Sequence, residues 1–395
     1  MQNLIRELFL LDPEIIFLNH GSFGACPKPV FEIYQSWQRR LERQPVKFLG
    51  REIRELDCTA RQALASFLHT RAENLAFVPN ATHGVNIIAR SLGLEPGDEI
   101  LTSDHEYGAC DHTWEFIAQK TGARVVRQHI PLPGALATTG IQGTPEADIT
   151  ELIWQGVTPR TRLIFLSHIT SPTAMRLPVE VICALARAAG IRTLIDGAHA
   201  PGQIPLDLEA VGADWYTGNC HKWMLAPKGS GFLYARPEVQ SLVEPLVVSW
   251  GYHAAPETTS GSQFLDYMVW TGTGDPAAYL TVPAAIQFMQ EHAWETVRLD
   301  CHHLLRETIG EICALTDIQP AYPLDSDLYF QMGTAPLPAG INPTDLKNRL
   351  YDEYRIEVPI TEWNGQKFLR ISIQAYNTPA DTAALLEALQ ELLVK

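Results

Sequence analysis

The sequence predicts an α/β protein in which a mostly parallel central sheet, helix-covered on both faces, is followed by a smaller α+β unit. Three observations carry this. Between about 75 and 235, short β-rich runs alternate with helical stretches, the rhythm of strand–crossover–strand units. Within that region Thr193-Leu194-Ile195 fits a strand buried on both faces. Near 275 the character changes to long apolar-rich helices and isolated β runs. The chain has 395 residues, and roughly 150 per domain gives two or three domains. We place them at 1–30, a segment packing near the small domain and the active site; 31–270, the large ligand-binding domain; and 271–395, the small domain.

Taken in order, residues 1–30 read as a short helix, an apolar run at 15–18 and a turn-rich loop from Asn19 to Gly24. Residues 28–70 read as one or two amphipathic helices, because Val30, Ile33, Trp37 and Leu41 recur at three- to four-residue spacing. Strands are expected at 75–78, 99–102, 124–129, 163–167, 192–196, 215–217 and 231–234, with helices at 83–91, 111–120 and 178–188. Beyond the boundary we expect a single helix over 277–293 and a second over 294–315. Strands at 328–331 and 368–373, a helix near 344–354 and a final amphipathic helix over 379–394 complete the chain.

Composition narrows the function. Lys plus Arg is 30 against 45 for Asp plus Glu, a formal charge of −15. With no basic run, this argues against a general nucleic-acid partner, but not against a small anionic ligand. The seven cysteines are odd in number and show no Cys-x-x-Cys spacing. We therefore expect reduced thiols in a cytoplasmic protein, and no metal site. Arg6, Glu7, Asp12 and Glu14 break the basic-then-apolar order of a signal peptide. No stretch offers the roughly 18 uncharged apolar residues of a membrane span.

Four clusters lie where strands end or helices begin, the edge at which open α/β sheets collect ligands. Asn80-Ala81-Thr82-His83-Gly84-Val85-Asn86 follows a strand and opens a helix. A helix N-terminus suits a phosphate, although an ordinary Thr cap has the same letters. Asp196-Gly197-Ala198-His199 stands at the exit of the buried strand, where a carboxylate can meet a cationic ring nitrogen, bind a metal or merely turn the chain. Asn219-Cys220-His221-Lys222-Trp223, continued by Pro227-Lys228-Gly229-Ser230-Gly231, embeds a lysine among apolar neighbours. Desolvation would free its amine for carbonyl chemistry. Trp270-Thr271-Gly272-Thr273-Gly274-Asp275-Pro276 reads either as a phosphate loop or as a connection between domains. A phosphate cradle, a carboxylate for a pyridinium and a desolvated lysine are together the three handles of pyridoxal 5′-phosphate. No Gly-x-Gly-x-x-Gly opens the first strand–helix unit, which excludes a nicotinamide dehydrogenase.

In order and spacing these residues resemble the class V aminotransferase family of fold-type I pyridoxal-phosphate enzymes, over nearly the whole chain. His199 lies 3 residues and Lys222 26 residues beyond Asp196, and Ser171 lies 25 before it. The tail Leu369-Arg370-Ile371-Ser372, with Tyr376-Asn377-Thr378, resembles that family's carboxylate-binding segment. The segments from Phe17 to Gly24, from Asp104 to Ala109 and from Gly218 to Trp223, with Ala226-Pro227-Lys228-Gly229, look most like the isopenicillin N epimerase branch. That branch has relatives that cleave C–S bonds.

The resemblance implies roles. Lys222 would bind the cofactor covalently and then serve as base, and an ionised Asp196 would pair with the ring nitrogen. His199 and Ser171 would sit near the ring's 3′-oxygen. Ala81, Thr82, His83, Asn219 and His221 would hold the phosphate. Thr273 would reach a phosphate across the interface of a homodimer with its active sites at that interface. Tyr107 falls where relatives stack an aromatic ring on the cofactor, and is either a stacking platform or a proton donor on the face opposite Lys222. Arg370 would bind a substrate α-carboxylate, with Asn19, His20, Arg51 and Trp250 towards the substrate end. Epimerisation of an amino acid leads this reading. C–S lysis follows and transamination comes third. Cysteine desulfuration is unlike it, because residues 356–368 contain no Cys. A non-enzymatic sensor is the alternative of a different class.

Overall fold

A computed structural model describes residues 5–136, 145–255 and 259–393. After a two-residue strand, β1 (Ile16–Phe17), come the strands of the central sheet: β2 (Leu75–Val78), β3 (Glu99–Ser103), β4 (Arg124–Gln128), β5 (Thr161–Ser167), β6 (Arg192–Gly197), β7 (Trp215–Asn219) and β8 (Gly231–Ala235). Their order is β2-β8-β7-β6-β5-β3-β4. Only β8 is antiparallel to its neighbours, β2 and β7. Two reversals restore the direction of β2, so β2, β3, β5, β6 and β7 all end on one edge, and the loops of the candidate site leave from that edge. Side-chain alternation feeds two cores: Leu163, Phe165 and Leu194 pack on one face, and Ile164, Leu166 and Ile195 on the other. Burial on both sides makes the inner runs, such as residues 163–166 and 194–195, continuously apolar, and all seven expected strands form, including the edge strand β4 with its exposed Arg124 and Arg127.

The C-terminal part is built on β9 (Met332–Leu337), β10 (Ile356–Glu357), β11 (Ile360–Trp363) and β12 (Gln366–Ser372). A three-stranded antiparallel sheet runs β11-β12-β9, while β10 pairs in parallel with β1. Leu305, Ile309, Leu350, Phe368, Ile371 and Leu385 belong to its core. The helix Trp294–Thr316 begins with Trp294 in the large core and continues with Cys301, Leu305 and Ile312 in the small one.

Three expectations change. Residues 328–331 are not a strand, because their backbone groups are claimed by the large unit. The Leu328 carbonyl accepts from Arg176 N–H at 2.7 Å, and Gln203 Oε1 accepts from the N–H groups of Gln331 and Met332 at 3.1 Å each. The ladder starts only at Met332. The helix expected over 277–293 is two, Ala277–Leu280 and Val282–Glu291, broken where Pro283 cannot donate an N–H. Val282, Ala285 and Phe288 are buried in the large core rather than the small one. The loop from Asn19 to Gly24 contains one helical turn, His20–Phe23, closed by Gly24 at φ 70°. Residues 1–4 and the expected helix end at 394 lie outside the described residues.

The N-terminal segment ties the two cores together. Phe9 and Val30 are buried in the large core and Leu18 in the small one, and the Leu18 carbonyl accepts from Ser372 N–H at 2.9 Å. Gly24 passes so close to the Lys222 loop that an added Cβ would collide with the His221 carbonyl oxygen and sit 2.9 Å from Lys222 Cα. Left-handed backbone costs a residue with a Cβ about 1–2 kcal/mol before any collision. We expect Gly24→Ala to lower Tm by several degrees and to weaken cofactor retention. Melting curves with and without cofactor measure both effects.

Candidate active site

The loops at the shared sheet edge enclose a cavity of about 320 Å³. Ser22, Thr82, Tyr107, Ser171, Asp196 and Lys222 are among its lining residues. The Lys222 amine is fully buried and lies 3.3 Å from His199 Nε2. The proton positions follow from the next partner. The Trp223 indole N–H donates to His199 Nδ1 at 3.3 Å, so His199 carries its own proton on Nε2. That N–H faces Lys222 Nζ, which can accept it only in the uncharged form of the amine. Burial, reinforced by the Arg370 charge, lowers the Lys222 pKa to about 8, and the Asp196 carboxylate resists the shift. His199 is pushed well below its ordinary value, first by burial and then by Lys222.

Opposite stands Asp196. Its Oδ1 accepts from Ala198 N–H at 2.9 Å, and its Oδ2 has only the weak Cys110 thiol donor at 3.5 Å. Burial raises its pKa, against the pull of Lys222. Next to it, Glu106 is fully buried and is pushed up to about 8 by burial, against the hydrogen bonds that favour its charge. Glu106 accepts from Ser103 Oγ at 2.6 Å and from Ser167 N–H and Oγ at 2.8 and 2.6 Å. Ser167 lines the cavity beside Asp196, its register partner on β6. Sequence reasoning gave no role to Glu106, Cys110 or Ser167. The only sequence signal is a carboxylate and a thiol following an apolar strand.

At the third side the helix Ala81–Ser91 presents its N-terminus. Two of its first N–H groups are already used: Ala81 donates to Asn219 Oδ1 at 2.8 Å and His83 to Asn80 Oδ1 at 2.9 Å. Thr82 lies between them and lines the cavity with Asn219, His221 and Lys228, whereas His83 does not line it. His221 Nδ1 donates to the Ser230 carbonyl at 3.0 Å, and burial holds its pKa near 4. A neutral His221 therefore keeps no proton on Nε2. It becomes a second donor only when an anion draws a proton onto it.

Towards the substrate end, Arg370 is buried on β12. Its Nη1 donates to Ser171 O at 2.7 Å and Oγ at 3.1 Å, and its Nη2 donates to Ser22 Oγ at 3.1 Å. Arg370 does not itself line the cavity, but both serine partners do. Asn19 stands behind Ser22, accepting from its hydroxyl at 2.6 Å while donating to Glu357 at 2.8 Å. His20, expected at the substrate end, is instead fully buried beneath the lysine loop. Its Nε2 donates to the Lys222 carbonyl at 3.1 Å and its Nδ1 accepts from Tyr376 OH at 2.9 Å; burial lowers its pKa to about 3. Arg51 and Trp250 do not join this cavity either. They line a separate cleft of about 1180 Å³, with Trp250 84% exposed. Thr273 is exposed on the connection before Ala277–Leu280 and lies outside the cavity of its own chain.

The residues fit pyridoxal 5′-phosphate. A buried amine with a lowered pKa faces the cavity, and a buried carboxylate lacks a strong donor on Oδ2. A helix N-terminus with His221 and Lys228 suits the anionic end. The chain is a fold-type I pyridoxal-phosphate enzyme, and its cofactor is pyridoxal 5′-phosphate. A model of the aminotransferase class-V family matches residues 27–385, and the chain belongs to that family. Isopenicillin N epimerase of Amycolatopsis lactamdurans is 36% identical, covering 98% of this chain and 97% of that protein. A probable chloroplastic L-cysteine desulfhydrase of Arabidopsis thaliana is 25% identical over 97% of this chain and 84% of its own. The fold is shared with an apo cysteine desulfurase of Thermococcus onnurineus (TM-score 0.83, 20% identity, 99% and 97% covered). It is shared equally with the C-DES protein bearing glycine linked to its PLP cofactor (TM-score 0.82, 23% identity, 98% and 99% covered).

When bound, the cofactor withdraws electrons from the substrate α-carbon and so loosens the bonds there. Lys222 would supply the amine that holds it, and a base whose pKa is lowered towards neutrality. Asp196 would supply a negative charge that favours a protonated ring nitrogen. Cys110 donates to Asp196, and Glu106, held by Ser103 and Ser167, lies beside it.

The uncharged fraction of Lys222 grows as pH rises through its pKa. We expect cofactor uptake by the apoenzyme to quicken with pH and to level off above about 8, instead of above the roughly 10.4 of an ordinary lysine. Stopped-flow absorbance across pH 6–10 tests this, and Lys222→Ala should take up no covalently held, borohydride-fixable cofactor.

Proposed function

We propose that the enzyme moves a proton at the α-carbon of an amino-acid substrate and inverts that centre, as an epimerase does. The observation that carries this reading is the pairing of Lys222 and Tyr107 at one cavity. Tyr107 follows β3 and Lys222 follows β7, while β5 and β6, carrying Ser167 and Asp196, lie between them in the sheet. We read the two as proton-bearing groups that would meet the cofactor from opposite sides, as inversion requires. Similarity to isopenicillin N epimerases over almost the whole chain supports the same reading. Arg370, steadied by Ser22 and Ser171, would receive the α-carboxylate.

C–S lysis is the second reading, favoured by the cysteine desulfhydrases among the relatives. β-Elimination needs one base and a leaving group, and Lys222 alone would suffice. A lyase of the hercynylcysteine sulfoxide type and a transaminase belong to the same alternative. Desulfuration is disfavoured. No cysteine stands on the β10–β12 segment, and burial raises the pKa of Cys26 and of the five buried thiols. We also infer a cytoplasmic homodimer whose interface takes in Thr273 and the Arg51–Trp250 cleft, as the exposed Trp250, Val248 and Tyr252 suggest. No described helix is long and apolar enough to cross a membrane.

The test is α-hydrogen exchange in deuterated solvent across a panel of amino acids, with pyruvate, ammonia and the D-isomer assayed together. Exchange with inversion is the expected result; pyruvate without inversion would transfer the assignment to a lyase. Tyr107→Phe should slow inversion by roughly 10²–10⁴-fold, the usual worth of one general acid. It should leave exchange on the Lys222 face largely intact. Equal loss of both would reduce Tyr107 to a stacking platform.

A further inference from the structure

The hairpin that carries Arg370 ends in a wedge driven into the large unit. β11 and β12 are joined by Asn364-Gly365, at φ 48° and 73°, the two positive values that a tight two-residue hairpin turn requires. At its tip Trp363 is 7% exposed and packs against two histidines. His105 stacks on it at 4.3 Å and 22°, and His129 at 5.7 Å and 12°. The indole N–H donates to the Asp104 carbonyl at 3.0 Å. Asn364 Nδ2 donates to Asp104 Oδ2 at 3.1 Å, and that same oxygen meets His129 Nδ1 at 2.7 Å. Every large-unit group in this contact belongs to the Asp104–Tyr107 loop or to the end of β4.

The contact closes a ring through the site. His105 Nδ1 meets Thr173 Oγ1 at 2.8 Å, and its Nε2 meets the Ile130 carbonyl at 2.6 Å. Thr361 of β11 donates to the Pro172 carbonyl at 2.7 Å, and Arg370 of β12 donates to the Ser171 carbonyl at 2.7 Å. One hairpin therefore grips the 171–173 loop with Thr361 and Arg370, and the Tyr107 loop with its tip. His105 joins those two loops to each other. The Tyr107 loop and the Arg370 guanidinium come from different units; the sheet side ties them through the Glu106–Ser167 and Arg370–Ser171 hydrogen bonds, and the hairpin tip adds a second tie directly to the Tyr107 loop.

We propose that Trp363 is a positioning residue, whose packing against His105 and His129 sets Arg370 and Tyr107 in register across the two units. It does not line the cavity. Its consequence rests on the roles proposed for Arg370 and Tyr107; the latch itself does not.

The test uses the holoenzyme and its Trp363→Ala and Trp363→Phe variants. Hydrogen–deuterium exchange should quicken by about tenfold or more at 104–110 and 366–372 together in Trp363→Ala, and much less in Trp363→Phe, which keeps a ring in the slot. Glycine and methylamine then serve as probes, read by the cofactor absorbance change. Glycine carries a carboxylate and methylamine does not. Trp363→Ala should weaken glycine by about tenfold, since misplacement near 1 Å can cost a hundredfold. Methylamine binding and cofactor content should stay within twofold. Quickened exchange at 366–372 alone, or at neither segment, would overturn the latch. Coupled exchange with no preference for glycine in the parent enzyme would leave the latch standing and remove the Arg370 reading instead. Should Trp363→Ala not fold, Trp363→Leu, which removes the aromatic stack and the indole N–H bond but keeps apolar bulk, takes its place, and the same two segments decide.

Discussion

The site turns on the 3.3 Å contact between His199 Nε2 and the Lys222 amine, which is a hydrogen bond only when the amine is uncharged. Trp223 fixes the histidine tautomer from behind, and the histidine then presents an N–H towards the lysine nitrogen. An ammonium in the same place faces a donor and the Arg370 charge, and burial further disfavours it, so the amine gives up its proton far more readily than an exposed lysine. The fold thus spends buried polar groups on keeping one nitrogen lone pair available. His20 plays the complementary part on the backbone, holding the Lys222 carbonyl while Tyr376 satisfies its other nitrogen. Its place beneath the loop explains why this histidine is fully buried instead of lining the cavity.

Around that amine the sheet acts as a ruler. Five strands end on one edge, and a different chemical group stands at each end. The helix N-terminus follows β2, Tyr107 follows β3, Ser171 follows β5, Asp196 lies on β6 and Lys222 follows β7. The acid end is more crowded than a single carboxylate requires. Glu106 and Asp196 are both buried, and their mutual repulsion adds to the desolvation that raises Glu106. Three serine hydrogen bonds keep Glu106 in place whichever form it takes.

Much of this was legible in the sequence, for physical reasons. Doubly buried strands write themselves as short apolar runs, and the residues that follow them stand at a predictable edge, so Lys222, Asp196, Thr82 and Asn219 were found together. Contacts that depend on register across long separations left no such trace. Cys110 meets Asp196 across 86 residues, and Glu106 meets Ser167 across 61. The false strand at 328–331 has the composition of a strand, but Gln203 and Arg176 had already engaged its backbone. The helix expected over 277–293 was apolar enough to look single, yet Pro283 divides it. Arg51 and Trp250 carried no signal that would separate one cleft from another.

The helix Trp294–Thr316 belongs to both cores without a break. Any swing of the Arg370-bearing unit over the lysine must therefore be taken up by bending or twisting a continuous rod, within about two turns between Trp294 and Cys301. A continuous helix shared by two cores resists such bending more than a loop of equal length would, so it holds the Arg370-bearing unit near one orientation to the lysine.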